Sequence, residues 1–339
     1  QIELLRCTAR RQVLKVTYQT GLAFDTNVTF MGDAATGLDL IAGREDGKFS
    51  SGLGIHYSPL ATERHALTLG ARLGHSWHFS VEEFDYQDYG AYLRYARRLN
   101  DRFSADIQYD YDISYLGNEL FLSNHAITPG VEYRWREGPG QFDLDRTRLY
   151  YQFAGRDFLF DTMPEFDRDG LAHAVGIEQS MLLQPVAGKD WIWRLAAGYQ
   201  FASIGTQGTE FDRFTHDFYL GLNLPLVNPM APDRYLILPD KELLFTFNAN
   251  WQLADYREGS LLDAERDERS DLTTTFGFAL SQKLIEDTRC GDLTLHAIIN
   301  WTDADSNVTT ARDLRFPYLR STPFTYDKVV YGVQLEWSW

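Results

Sequence analysis

Nowhere does the chain carry the roughly 18 to 20 consecutive uncharged apolar residues that a membrane-spanning helix needs. Any crossing of a bilayer must therefore be made by strands. Cysteine is almost missing: Cys7 and Cys290 are the only two, with no CxxC or Cys/His spacing, so zinc and thioredoxin-type chemistry lack support. Positive charge is in deficit. With 32 Lys and Arg against 48 Asp and Glu, the formal net charge of −16 disfavours nucleic acid, whose binding rests on basic side chains neutralising phosphates. Helical periodicity does not extend beyond a turn or two. A signal-peptide pattern is lacking as well; the start at Gln1 fits a processed mature chain and is not evidence for one. There is no GxSxG, and the nearest base–acid pair, His216 and Asp217 in "THDFY", falls on opposite faces of a strand. No enzyme activity, cofactor or metal is expected.

What is plentiful is aromatic. Phe, Tyr and Trp make up 14% of the chain although 24% is charged and mean hydropathy is −0.34. A membrane barrel reconciles these values, because its polar inner face keeps the average low. From Val13 the chain reads as about fourteen alternating segments divided by turn signals, near 13–30, 46–59, 65–79, 86–98, 101–117, 122–137, 144–158, 171–184, 190–205, 214–227, 242–257, 269–285, 291–309 and 324–339. Several alternate cleanly over nine or more residues, long for a soluble strand and suited to a tilted membrane strand. In "LLFTFNANWQ", Leu243, Phe245, Phe247, Ala249 and Trp251 oppose Thr246, Asn248, Asn250 and Gln252. Aromatic residues favour the ends of such faces, as interface girdles would.

The links carry a second signal. "PLATER", "RLNDR", "REGPGQ", "PVAGKD" and "EDTRCGD" are short, and those between them, such as "FLFDTMPEFDRDG" and "DYREGSLLDAERDERSD", are longer and acidic. Outer-membrane barrels have this asymmetry, and an even strand count puts both termini on the short-turn side. "VNPMAPDRYLILPDKE" breaks the rule. The soluble alternative is a large antiparallel sandwich or a propeller, but no repeat of 40 to 50 residues is visible. The expected fold is thus an all-β, closed antiparallel transmembrane barrel of about fourteen strands over residues 13–339, with 1–12 as a periplasmic segment.

The chain ends on "YGVQLEWSW", which places Tyr331, Val333, Leu335, Trp337 and Trp339 on one face. This stretch resembles the C-terminal signature of bacterial outer-membrane proteins, which in that class is recognised by the barrel-assembly machinery. The last strand is expected to close on the first. "GLAFDTNVTFMGD" resembles the opening of barrels that follow periplasmic tetratricopeptide repeats, the surface lipoprotein assembly modifier family among them, and "FLSNHAITPGVEYRW" adds to the likeness. The resemblance covers short patches; it implies fourteen strands and a secretion role with periplasmic partners. The dozen residues "QIELLRCTARRQ" are at most the tail of such a repeat array.

With the apolar rows fixed outward, the inward set includes Arg72, Arg94, Arg134, Arg148 and Arg194, beside Asp106, Asp110, Asp112, Glu132 and Glu178. Such opposed charge ladders would set a transverse field that selects small polar or charged solutes. The alternative is that these side chains pair with one another and close the interior. Asp303, Asp305 and Asn307 imitate the start of a calcium loop, but Gly is missing at the sixth position and Leu314 stands where a bidentate Glu belongs. Asn27 and Asn307 begin NxT sequons that a bacterial outer membrane would ordinarily ignore. If strand one closes on the last, Cys7 and Cys290 share the periplasmic rim, where an oxidising compartment would join them in a disulfide.

The functional expectation is an outer-membrane channel for diffusion of small hydrophilic solutes, long loops extracellular and both termini periplasmic. A translocon barrel and a structural or adhesive surface protein are the alternatives. Expected partners are outer-membrane lipid and lipopolysaccharide, the barrel-assembly machinery, and a periplasmic or surface protein, with no nucleic acid.

Overall fold

The computed structural model describes residues 14–28, 44–135, 142–159, 164–183, 192–228, 230–260, 268–286, 291–308, 311–312, 320–321 and 324–339. Fourteen strands form the wall: β1 (Leu14–Asp25), β2 (Asp46–Ala61), β3 (His65–His78), β4 (Tyr86–Arg98), β5 (Phe103–Leu116), β6 (Glu119–Arg134), β7 (Phe142–Phe158), β8 (Gly170–Leu183), β9 (Trp193–Thr206), β10 (Arg213–Pro225), β11 (Leu243–Gly259), β12 (Glu268–Ile285), β13 (Asp292–Ser306) and β14 (Tyr326–Ser338). Each pairs antiparallel with its chain neighbour, and β1 with β14, so the sheet is a closed barrel. All fourteen expected segments coincide with these strands to within a few residues.

Closure rests on a continuous register in which Thr17 faces Ser338 and Asp25 faces Val330. Val16 N donates to Trp339 O at 3.1 Å, and Trp339 N donates back to Val16 O at 2.8 Å. The terminal aromatic residue thus belongs to the seam. At the other end of the seam, Lys48 Nζ and Lys328 Nζ lie 3.3 and 3.0 Å from Asp25 Oδ2. That carboxylate is only 1% exposed and ties three consecutive wall strands, β14, β1 and β2.

The two faces differ as the period-two pattern requires. Leu22, Leu73, Leu93, Ile107, Val131 and Leu149 lie on one face and are left exposed. The opposite face carries contacts that skip a strand, such as Arg72 on β3 to Asp112 on β5. Side chains reach the second neighbour only on a concave surface, so this face is the interior. Aromatic rings outside are not confined to strand ends. Phe276, near the middle of β12, stacks 5.4 Å from Trp301 and 6.2 Å from Phe247. Ala249 lies on this outer face by register with Leu220 and Phe276, yet it is only 2% exposed, because the large rings beside it close over a methyl group.

Loop asymmetry holds for part of the barrel. Links 26–45, 159–169 and 307–325 on the rim away from the termini are long, but β5 and β6 are joined there by Gly117 and Asn118 alone. Both have left-handed φ, 56° and 68°. Positive φ at both central residues is the two-residue hairpin geometry that matches strand twist. On the terminal rim, the long link 226–242 holds a small hairpin of Val227–Asn228 with Ala231–Tyr235. Cys7 and Cys290 lie outside the described residues, as do residues 1–13.

Candidate functional site

The interior is built from rows in which a long side chain crosses a glycine to reach the next strand but one. Arg72, Gly90 and Asp112 are aligned across β3, β4 and β5, and Arg72 Nη2 meets Asp112 Oδ1 at 2.7 Å. Tyr150, Gly176 and Gln200 are aligned across β7, β8 and β9, and the Tyr150 hydroxyl donates to Gln200 Oε1 at 2.8 Å. His56, Gly70 and Tyr92 repeat the arrangement on β2 to β4, with Nδ1 and the hydroxyl 2.6 Å apart. Glu178, Gly198 and Tyr219 repeat it on β8 to β10, joined by a side-chain hydrogen bond. A Cβ at Gly90 would sit 2.6 Å from Asp112 Oδ1, and one at Gly176 would collide with the Tyr150 ring. The glycines are notches that let side chains lie flat along the wall.

Between β3 and β8 the interior is charged. Arg94 Nε and Arg148 Nη2 both meet Asp106 Oδ2 at 3.2 Å. Arg72 also meets Asp88 at 3.3 Å, Arg134 Nε meets Glu132 at 3.0 Å, and Arg146 Nη1 meets Glu132 at 3.6 Å. Arg148 Nη1 is 3.9 Å from Glu178. Asp110 accepts from Gln108 Nε2 at 2.7 Å. Arg194 shares the interior face by its register with Asn223 and is exposed near the terminal rim.

These contacts correct the expected opposed ladders. Among the described residues of β3 to β8, acids and bases sit side by side on one wall and pair within about 4 Å, inside a strand, between neighbours or across one strand, instead of forming a basic ladder that faces an acidic one. The guanidinium groups nevertheless remain open to the interior: the Arg72 and Arg134 side chains are each 61% exposed. Residues the sequence reading passed over complete the wall: Asp88, Arg146, Tyr150, Tyr219 and the glycine notches. Their inward parity was readable; that glycine would serve as a crossing point was not.

In the other half of the wall the charges lie toward the two rims, and rows of neutral polar side chains cross its middle. Asn248, Gly277 and Asn300 are aligned on β11, β12 and β13. Thr275 Oγ1 lies 3.4 Å from Thr302 Oγ1, and Gln334 Nε2 donates to Gln19 Oε1 at 3.1 Å. Small inward residues on β2, Ser50, Gly52 and Gly54, leave a recess of about 590 Å³ beside the seam that Arg72, Asp88 and Gln19 also line. A second recess of about 350 Å³ opens at the terminal rim among Arg64, Arg98, Arg102, Arg134 and Arg146.

No known family model matches the chain, and no curated protein sequence matches it. Solved structures do. A bacterial polysaccharide outer membrane secretin is 10% identical with a TM-score of 0.44, the match covering 95% of this chain and 98% of that one. An anion-selective porin from Comamonas acidovorans is 11% identical, TM-score 0.45, over 96% and 98%. OccK1 (OpdK) of Pseudomonas aeruginosa is 10% identical, TM-score 0.40, over 96% and 98%. The likeness is one of barrel form.

Three further readings meet the structure here. His216 accompanies Tyr199, 2.8 Å away on the outer face, while Asp217 turns inward to Gln252 at 2.6 Å, so the two do not share a site. Asn307 is occupied by backbone: Oδ1 accepts from Ser270 N and Nδ2 donates to Glu268 O, both at 2.8 Å. Those contacts direct its side chain to the neighbouring strand, away from the arrangement a calcium loop would need. Asn27 likewise turns its Nδ2 to Asp327 O, at 3.1 Å.

Proposed function

We propose that this barrel is an outer-membrane channel through which small hydrophilic solutes diffuse. The observation that carries it is the inversion of polarity across one wall. Exposed leucines, isoleucines and valines cover the convex side, where hydrocarbon would lie. The concave side presents amides, hydroxyls and half-open guanidinium groups, around recesses of hundreds of Å³. An interior sealed for structure alone would not leave Arg72 and Arg134 largely open. In this reading Arg72, Arg94, Arg134, Arg148 and Arg194, with Asp106, Asp110, Asp112, Glu132 and Glu178, line the solute path, and the rim carrying both termini is periplasmic. The C-terminal row from Tyr331 to Trp339 serves assembly. Proteoliposome swelling in sugars of graded size tests the proposal: entry of small sugars with a size cut-off supports it, and impermeability of a folded, inserted barrel rejects it.

A translocon with periplasmic partners is the second reading. It is favoured by the recess at the terminal rim, where arginines outnumber the acids Glu63, Asp101, Asp106 and Glu132 in a chain otherwise strongly acidic, and by the resemblance of its opening segment to repeat-linked barrels. Retained surface display of a cargo protein in a strain lacking this chain would remove that reading.

A further inference from the structure

The arginines of the charged wall between β3 and β8 are held by carboxylates. A second group, Arg156, Arg213 and Arg269, lies on the same interior face toward the rim away from the termini, and there, among the described residues, Arg269 alone is held by a carboxylate, that of Asp271. Arg213, Tyr256 and Arg269 follow one another on β10, β11 and β12 at nearly one level. Arg213 Nη1 donates to the Tyr256 hydroxyl at 3.4 Å, its guanidinium carbon is 5.5 Å from the ring centroid, and its Nε is buried without a hydrogen-bond partner. Arg269 lies 4.3 Å from the same centroid and 3.3 Å from that of Phe324. It is 7% exposed and holds Asp271 through Nε at 2.9 Å and through Nη2, while its Nη1 is buried with no partner.

Arg156 on β7 stands near the same level: it is opposite Gly170 on β8, which is opposite Thr206 on β9, one inward position from the row in which Ala172 faces Ile204 and Ile204 faces Arg213. Among the described residues it has neither a hydrogen bond nor an ion pair, and the charge acting on it is the like charge of Arg213. Two uncompensated guanidinium groups in a partly desolvated place repel each other, and each leaves donors unused. Asp271 is already engaged. An oxyanion resolves both deficits, since a carboxylate or phosphate accepts paired N–H donors from guanidinium groups and supplies the missing charge.

We propose that Arg156 and Arg213, with the free Nη1 of Arg269 and the Tyr256 ring, form a binding site for the oxyanion of a small organic solute, a carboxylate or a phosphate. The Tyr256 and Phe324 rings beside it favour a solute whose anionic group is attached to an apolar body. The inference rests on the channel reading for the notion that the anion is in transit, but not for the binding itself.

The test titrates the full chain, folded in a neutral detergent, with benzoate and with inorganic phosphate at constant ionic strength, read by isothermal titration calorimetry. Saturable binding of either anion is expected; benzoate alone identifies a planar carboxylate site, and phosphate alone a tetrahedral one. R156Q and R213Q should each weaken binding about tenfold or more, as loss of a charge-assisted contact does. R234Q, on the opposite rim, should bind as the unaltered chain does. Heat-modifiable mobility on gels shows which variants are folded, and either single variant suffices. No saturation by either anion, or unchanged affinity in a folded R156Q or R213Q, overturns the proposal. Conductance in KCl, measured on the same preparation, separates the readings: current without anion binding removes the site and leaves the channel, and binding without current does the reverse.

Discussion

Replacing Asp106 by Asn removes the carboxylate on which two strands converge. Its Oδ2 accepts from Arg94 on β4 and Arg148 on β7, each at 3.2 Å, and its side chain is only 5% exposed. An exposed ion pair contributes about 0 to 1 kcal/mol, and breaking a fully buried one costs about 3 to 5 kcal/mol. Here the acid is buried and the guanidinium groups are partly open, so the loss falls between the limits, at about 1 to 3 kcal/mol. Asp110, four residues on along the same face, is the internal comparison, because its described hydrogen bond is from neutral Gln108. Asp110→Asn should cost under about 1 kcal/mol. Urea unfolding in detergent micelles, followed by tryptophan fluorescence, measures both. Equal stability of the two variants would refute the claim that the Asp106 pairs organise the wall.

Four further outcomes follow from the same contacts. Phe247→Arg places a charge on the outer face and should lower barrel stability by roughly 2 to 4 kcal/mol if it faces mid-bilayer lipid, whereas Asn248→Arg, on the inner face, should fold and change conductance; folding yields in lipid vesicles compare them. Asp25→Asn leaves Lys48 and Lys328 without their shared partner, and the loss should reach about 3 to 5 kcal/mol, seen as a lower temperature for loss of the compact gel band. Gly176→Val should drive the Tyr150 ring off the wall and into the interior, which reduces unit conductance. Removing Arg72 and Arg94 together leaves Asp88, Asp112 and Asp106 in excess, so the reversal potential in a KCl gradient should move toward cation preference; no movement would place those side chains off the solute path.

Strand positions were legible because each wall segment alternates between lipid-like and water-like surroundings, and parity alone sorts Arg72 from Leu73 or Asn248 from Phe247. Closure was legible for the same reason: a row such as Tyr331 to Trp337 cannot end in lipid with an unpaired edge. What parity does not reveal is register between strands. Whether Arg72 faces an acid or open space depends on the offset of β3 against β4 and β5, which places Gly90 between Arg72 and Asp112. For that reason the sequence pointed to opposed ladders where the folded wall has interleaved pairs. Ala249 illustrates a second limit, since its exposure is decided by Phe276 one strand away and not by its own side chain. The turn at Gly117 and Asn118 shows a third: a two-residue hairpin sits on the rim that also carries the long links 26–45 and 307–325.

The most direct measurement of the central claim is single-channel recording of the purified chain in a planar bilayer. Discrete, ohmic conductance steps that change when Asn248→Arg or Gly176→Val alters the inner wall are the predicted result. Barrels that are folded and inserted, as judged by heat-modifiable mobility, and yet pass no current would contradict it.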